Sequence, residues 1–90
     1  MSRKIAVLVQ DRQGEALRMA LGLTLMDDKV EVFLLGRQFQ LSDKDRDNKE
    51  LMEEMDVLFY SDHAENQGTE LISTRDLATK LAEYDHILPY

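Results

Sequence analysis

The chain opens on an unbroken aliphatic stretch, Ile-Ala-Val-Leu-Val at residues 5–9, which constrains the fold more than any other feature. A polar turn at residues 10–14 follows, and then a helix-length apolar segment at residues 15–26. A strand without alternation of polar and apolar residues is buried on both faces, as strands are in parallel sheets covered by helices on either side. The opening therefore predicts an α/β fold.

The rest of the chain continues to alternate strands and helices. Further strands are predicted at residues 30–35, 57–60, 70–72 and 86–88, with a short helix through residues 51–55 and another after Ser73. Strands joined through helices connect by right-handed crossovers and form a parallel sheet with helices on both faces. We expect a single domain over residues 1–90, a three-layer α/β/α fold with a mainly parallel sheet of about five short strands.

The polar segment at residues 37–48 is interpreted as a mobile loop that serves as a solvated linker rather than as a functional lid. Four of its residues could cap the helix that follows, namely Ser42, Asp43, Asp45 and Asp47. Asp47 precedes Glu50 by three residues, which is the spacing of a capping box. The same spacing separates Ser73 from Asp76, and it predicts the start of the last helix.

The first helix is apolar on almost every side, so more than one neighbour must cover it. Met19, Leu23 and Met26 fall on one stripe at helical spacing, and we predict that this stripe forms an oligomer interface. A domain of 90 residues buries a modest fraction of its surface, which also favours assembly into a homo-oligomer. The alternative is that another helix of the same chain covers the stripe.

Composition excludes several classes of function. The formal net charge is -7, with 18 acidic and 11 basic residues, so the chain repels nucleic acid and anionic lipid, and no direct nucleic-acid partner is expected. Because there is no cysteine, disulfides, thiolate zinc sites and thiol nucleophiles are excluded. No apolar run approaches the roughly 20 residues of a membrane span. We therefore expect a cytoplasmic protein with no membrane partner.

The candidate site lies where the parallel strands end, because open α/β sheets bind ligands at that edge. Asp11 and Arg12 follow the first strand, and Ser61, Asp62 and His63 follow the third. His63 could act as an acid or base near neutral pH, and Arg12 could meet a small anion at a helix N-terminus. Ligand-like spacing and a glycine-rich phosphate loop are both missing, so no metal and no cofactor are expected. The alternative for all five residues is that they are ordinary solvated loop residues that bind nothing.

In the order and size of its elements the chain resembles the DsrE/DsrF-like (DsrEFH-like) family of small sulfur-relay proteins. The resemblance rests on residues 5–9, 16–26, 29–36 and 76–88. It implies a layered DsrE-like α/β/α domain that assembles into dimers, trimers or hexamers, and partner proteins of a sulfur relay. Sulfur-carrying members hold a cysteine after the third strand, whereas residues 61–68 contain none. Because sulfur transfer proceeds by thiolate attack, the resemblance implies a non-catalytic scaffold or regulatory subunit.

The alternative hypothesis is a receiver-like domain that binds a small anion or a metal ion through Asp11 and Asp62. These two carboxylates follow the first and third strands, as the acidic residues of response-regulator receivers do. However, no second acidic residue adjoins Asp11, and no lysine stands near the end of the last strand. No other catalytic signature is present, so an enzyme is the less favoured interpretation.

Overall fold

A computed structural model of the protein describes residues 3–90, which form five strands and three helices. In chain order the elements are β1 (Lys4–Val9), α1 (Gln13–Leu25), β2 (Lys29–Leu34), α2 (Asp43–Glu54), β3 (Leu58–Ser61), β4 (Glu70–Leu71), α3 (Thr74–Leu81) and β5 (His86–Pro89). None of these helices is both long enough and apolar enough to cross a bilayer.

The five strands form one sheet in the order β4-β3-β2-β1-β5, and every neighbouring pair is parallel. The α1 and α2 helices cover one face, where Leu17 and Met52 pack with the core residues of β1, β2 and β3. The α3 helix covers the other face, where Leu77 and Leu81 pack against Phe33 and Tyr60. The predicted three-layer α/β/α fold with a parallel sheet of five strands is confirmed.

The two faces of the sheet are covered to different depths. On the α1 and α2 side, both helices contribute fully buried residues to an apolar core. On the other side, α3 is only eight residues long and has no buried residue. Alternate residues of β2 point to this second face, and one of them is the buried carboxylate Glu31.

The start of α2 corrects the prediction of a loop over residues 37–48. Ser42 is the N-cap, and its hydroxyl accepts a hydrogen bond of 3.1 Å from the Asp45 amide, so residues 43–48 are helical. Asp43 and Asp45 in the first turn also favour this start, because carboxylates stabilise the positive end of the helix dipole. Asp47 therefore lies inside the helix and not at its cap. At α3 the predicted cap is confirmed, since the Ser73 hydroxyl accepts from the Asp76 amide.

Each of the two long helices, α1 and α2, is followed two residues later by an aspartate in the left-handed backbone conformation. Asp27 has a φ of 72° after α1, and Asp56 has a φ of 66° after α2. At each end the next residue's amide bonds back to a carbonyl five residues earlier, as in a Schellman motif. Glycine suits this position best because it has no Cβ, and a carboxylate at a helix C-terminus also opposes the helix dipole.

Replacing Asp56 with glycine is therefore expected to raise the free energy of unfolding by about 1 kcal/mol, because the left-handed residue loses its strain. Urea denaturation followed by circular dichroism measures the change. Asp47→Gly is the matched control, since the same substitution inside regular α2 should cost about 0.5 kcal/mol. If Asp56→Gly destabilised the fold as Asp47→Gly does, the carboxylate at the helix end would have a role that glycine cannot supply.

Candidate functional site

Two loops at the carboxyl edge of the sheet are joined through Ser61 and Asn66. Ser61 ends β3 and is completely buried, and its hydroxyl accepts hydrogen bonds from the His63 amide at 3.0 Å and from Asn66 Nδ2 at 2.8 Å. Asn66 Nδ2 also donates to the Arg37 carbonyl at 2.9 Å, and Asn66 Oδ1 accepts from the Phe39 amide at 2.7 Å. These bonds connect the turn after β3 to the loop after β2.

Asp62 contributes a further bond between the same two loops. Its Oδ1 accepts a hydrogen bond of 3.0 Å from the amide of Gly36, which has a φ of 89° and lies two residues after the end of β2. The side chain of His63 is half-buried, and its Nδ1 lies 3.7 Å from the Glu65 carboxylate. The polar residues of this turn thus have contacts within the protein that hold the backbone in place.

Asp11 and Arg12 lie at the end of β1, on the side of the sheet nearer β5. The amide of Asp11 donates to the Tyr90 carbonyl at 3.1 Å, and the Arg12 guanidinium lies 5.6 Å from the centre of the Tyr90 ring. Arg12 also forms an exposed ion pair with Glu15 at 3.5 Å. Tyr90, which follows β5, therefore contacts the backbone and the side chain that follow β1.

The five predicted site residues fall into two separate groups. Strand β2 lies between β1 and β3, so the backbones that carry Asp11 and Arg12 stand about 10 Å from the backbone that carries Ser61, Asp62 and His63. Within residues 3–90, no hydrogen bond or ion pair joins one group to the other. Over the same range, no three His, Asp or Glu side chains are grouped as metal ligands.

A cleft of about 550 Å³ opens beyond the end of β2, between α2 and the turn after β3. Its rim carries both signs of charge, including Arg46, Lys49 and Glu50, so it does not select a ligand by charge. The buried Lys49 ammonium pairs with Glu53 at 3.2 Å and reaches the carbonyl of Gly68 at 3.4 Å. The Lys49 ammonium therefore already has partners within the protein.

A second, apolar groove of about 430 Å³ follows the outer face of α1 and contains the predicted interface stripe. Met19 is 45% exposed and Met26 is 74% exposed, while Leu23 is partly buried against the core. Gly22, Tyr90 and the charged residues Glu15 and Arg18 also line the groove. Within residues 3–90, no helix covers Met19 or Met26, whereas the core of the same chain covers part of Leu23.

The sequence reasoning missed a buried polar cluster around Glu31, which is only 3% exposed. Its carboxylate accepts hydrogen bonds from the Tyr84 hydroxyl at 2.5 Å and from the Tyr60 hydroxyl at 3.2 Å. The ammonium groups of Lys4 and Lys80 lie 3.8 and 3.9 Å from the same carboxylate. The signal was present in the sequence, since Glu31 is one acidic residue inside an otherwise apolar strand.

The Glu31 cluster shifts the pKa of three neighbours. Burial, together with the Glu31 carboxylate, raises the pKa of Tyr84 far above its ordinary value of 10.0 and also raises the pKa of Tyr60. Burial alone would lower the pKa of Lys80, but the neighbouring Tyr60 hydroxyl and Glu31 raise it above 10.5. The folded protein thus holds two neutral phenols and a charged lysine around one carboxylate.

Stability is expected to fall as the pH rises above about 10, because the unfolded chain releases these protons before the folded one does. The unfolded state then binds fewer protons, and the free energy of unfolding decreases with pH. Urea denaturation between pH 8 and about 11 measures the slope. Tyr84→Phe should flatten it, whereas Tyr90→Phe, outside the cluster, should leave it unchanged. An equally steep slope in Tyr84→Phe would contradict the assignment to Tyr84.

No known family model matches this chain, and no curated protein matches it in sequence.

Proposed function

We propose that the protein is a non-catalytic scaffold or regulatory subunit that acts through protein contacts in an oligomer of the sulfur-relay type. One observation carries this proposal, namely the open apolar groove on α1 that contains Met19, Leu23 and Met26. Exposed apolar surface that is continuous along a helix is typical of a protein–protein interface. The resemblance to DsrE-like proteins supplies the class of assembly.

The residues at the carboxyl edge support a role without sulfur chemistry. Sulfur transfer requires a thiolate, and the chain has no cysteine. In the turn where the resemblance would place that cysteine, Ser61 is buried and Asn66 bonds to it. These side chains hold two loops together, which suits a rigid subunit whose partners supply the chemistry.

The receiver-like alternative has weaker support. Asp62 accepts a hydrogen bond from the Gly36 amide, and β2 separates its backbone from that of Asp11. Within residues 3–90, no contact joins the two carboxylates, and no set of three possible metal ligands includes them. The apolar groove needs no rearrangement to bind a partner, so protein contact remains the better supported function.

We expect the wild-type protein to sediment as a dimer or larger oligomer at micromolar concentration. Met19→Glu should shift it toward monomer, because a charge buried at an apolar interface costs several kcal/mol when it has no partner. Analytical ultracentrifugation measures the distribution. Leu71→Glu is the matched control, since Leu71 is also exposed, at 64%, but lies on β4 at the far edge of the sheet. A wild-type monomer at every concentration would contradict the proposal.

A further inference from the structure

We infer that the occupant of the α1 groove is a second copy of this chain, with the two α1 helices antiparallel about a twofold axis near Gly22 and Leu23. The inference rests on the proposed function, because it identifies the first contact of the oligomer. Three features of α1 support it: its exposed apolar side chains, an unexplained glycine, and the charges at the two ends of the groove.

The groove has the shape of a helix-packing surface. Ala16, Leu17 and Ala20 point inward and are fully buried, so the opposite side of α1 carries Met19 and Met26. Those two side chains are seven residues apart, which is two helical turns on the same face. Because methionine is flexible, the pair can adapt to an identical surface on another helix.

Gly22 has no explanation within one copy of the chain. It lies inside α1, and a Cβ built on it would find no atom of residues 3–90 within 4 Å beyond its immediate surroundings. Glycine in an exposed helix interior lowers stability relative to alanine, so the position has a cost without a packing reason in the monomer. A missing side chain at the centre of the groove does allow a second helix to approach closely.

The charges at the two ends of the groove favour α1 of a second copy as the occupant. Glu15 and Arg18 line one end of the groove, and Asp27 follows Met26 at the other. Glu15 is paired with Arg12, whereas neither Arg18 nor Asp27 forms an ion pair within the part of the chain that the structure describes. In an antiparallel pair centred between Gly22 and Leu23, positions equally far from the centre face each other. Arg18 then faces Asp27 of the partner subunit, and the reciprocal pair forms on the other side of the axis.

This arrangement also explains why a copy fits better than a foreign partner. The chain carries a net charge of -7, so two copies repel each other over most of their surfaces. At the groove, Arg18 and Asp27, which form no ion pair within residues 3–90, stand at opposite ends of an apolar centre. A half-turn rotation therefore brings each of them opposite the other. The antiparallel contact is the orientation in which opposite charges meet at both ends.

The test compares two aspartates with the same backbone geometry. Asp27→Asn and Asp56→Asn each remove a carboxylate from a residue that follows an α-helix in the left-handed backbone conformation, with φ of 72° and 66°. Asp27→Asn should raise the dimer dissociation constant about fivefold, through the loss of two symmetric exposed ion pairs. Asp56→Asn should change it less than about twofold. Sedimentation equilibrium of the full chain gives both constants.

A charge exchange tests the orientation. Arg18→Asp and Asp27→Arg should each dimerise more weakly than the wild type, while an equimolar mixture should form a heterodimer, because both cross-subunit pairs are then of opposite sign. If Asp27→Arg folds poorly at its left-handed backbone, Gly22→Cys gives a second measurement. The chain has no other cysteine, so mild oxidation should link two copies near the axis, whereas Leu71→Cys should stay unlinked.

The outcomes separate this inference from the proposed function. An oligomer that is indifferent to Asp27→Asn, forms no heterodimer and does not cross-link through Gly22→Cys would overturn the antiparallel α1 contact and leave the scaffold proposal standing. A wild-type protein that is monomeric throughout would overturn both. A dimer that follows the predicted pattern in all three measurements would establish the second copy as the occupant of the groove.

Discussion

Replacing Glu31 with alanine is expected to lower the free energy of unfolding by about 3–5 kcal/mol, the largest effect of any single polar residue in this protein. The substitution removes the acceptor for two buried tyrosine hydroxyls and the counter-charge for two lysines. A folded chain of 90 residues has a stability of about 5–13 kcal/mol, so Glu31→Ala would remove a large part of it. Urea denaturation near pH 7 measures the difference.

Two further variants test why Glu31→Ala lowers the free energy of unfolding. Glu31→Gln keeps one acceptor oxygen and should lose about half as much stability as Glu31→Ala. The triple variant Glu31→Leu with Tyr60→Phe and Tyr84→Phe removes the carboxylate and both hydroxyls together and should recover much of the loss, because no buried hydroxyl is left without a partner. Lys4 and Lys80 remain, but both side chains are partly exposed and Lys4 keeps its ion pair with Glu83. A cost below about 1 kcal/mol for Glu31→Ala would show that the carboxylate does not organise this face.

Replacing Asn66 with alanine is expected to cost about 3 kcal/mol. Asn66 is buried, and the substitution leaves the Phe39 amide and the Arg37 carbonyl without their partner. It also removes one of the two hydrogen bonds that the Ser61 hydroxyl accepts. Because these bonds connect the loops after β2 and β3, hydrogen exchange should accelerate in both loops while the amides of β1 stay protected. The control is Gln67→Ala, an exposed neighbour, which should change stability by less than about 0.5 kcal/mol.

The Asn66 variants also test what the carboxyl edge does. Asn66→Asp keeps the acceptor for Phe39 but loses both donors and places a carboxylate in a buried site facing the Arg37 carbonyl, so it should be at least as destabilising as Asn66→Ala. If Asn66→Ala instead left both loops as protected as in the wild type, the loops would be held by contacts other than this side chain. Their rigidity would then be unrelated to the polar turn at residues 61–66.

The groove on α1 and the Glu31 cluster lie on opposite faces of the sheet. Met19 and Met26 belong to the side of α1 and α2, whereas Glu31 and its partners belong to the side of α3. Since no residue is shared, substitutions at Glu31 should affect stability more than assembly, and Met19→Glu should affect assembly more than stability. Additive effects in the double variant would confirm that the two sites act independently.

The sequence by itself determined the class of fold. Apolar runs of strand length without alternation, such as residues 5–9, are typical of strands covered on both faces, so the parallel sheet and its three layers could be predicted from local pattern. The Ser73 cap could be predicted for the same reason, because capping depends on residues within one helical turn. The start of α2 was missed because four capping candidates compete over residues 42–47, and local spacing alone did not choose Ser42.

Only the tertiary structure decided what the polar residues do. Strand order separates Asp11 from Asp62 by the width of β2, and that order is set by crossovers between distant segments, not by sequence spacing. Glu31 meets Tyr84 across 53 residues of chain, and Asn66 reaches Phe39 across 27. The stripe on α1 was visible as a periodic pattern, but its exposure depends on where α2 packs. Periodicity is a local property and could be predicted, whereas pairing between distant side chains arises only when the sheet brings them together.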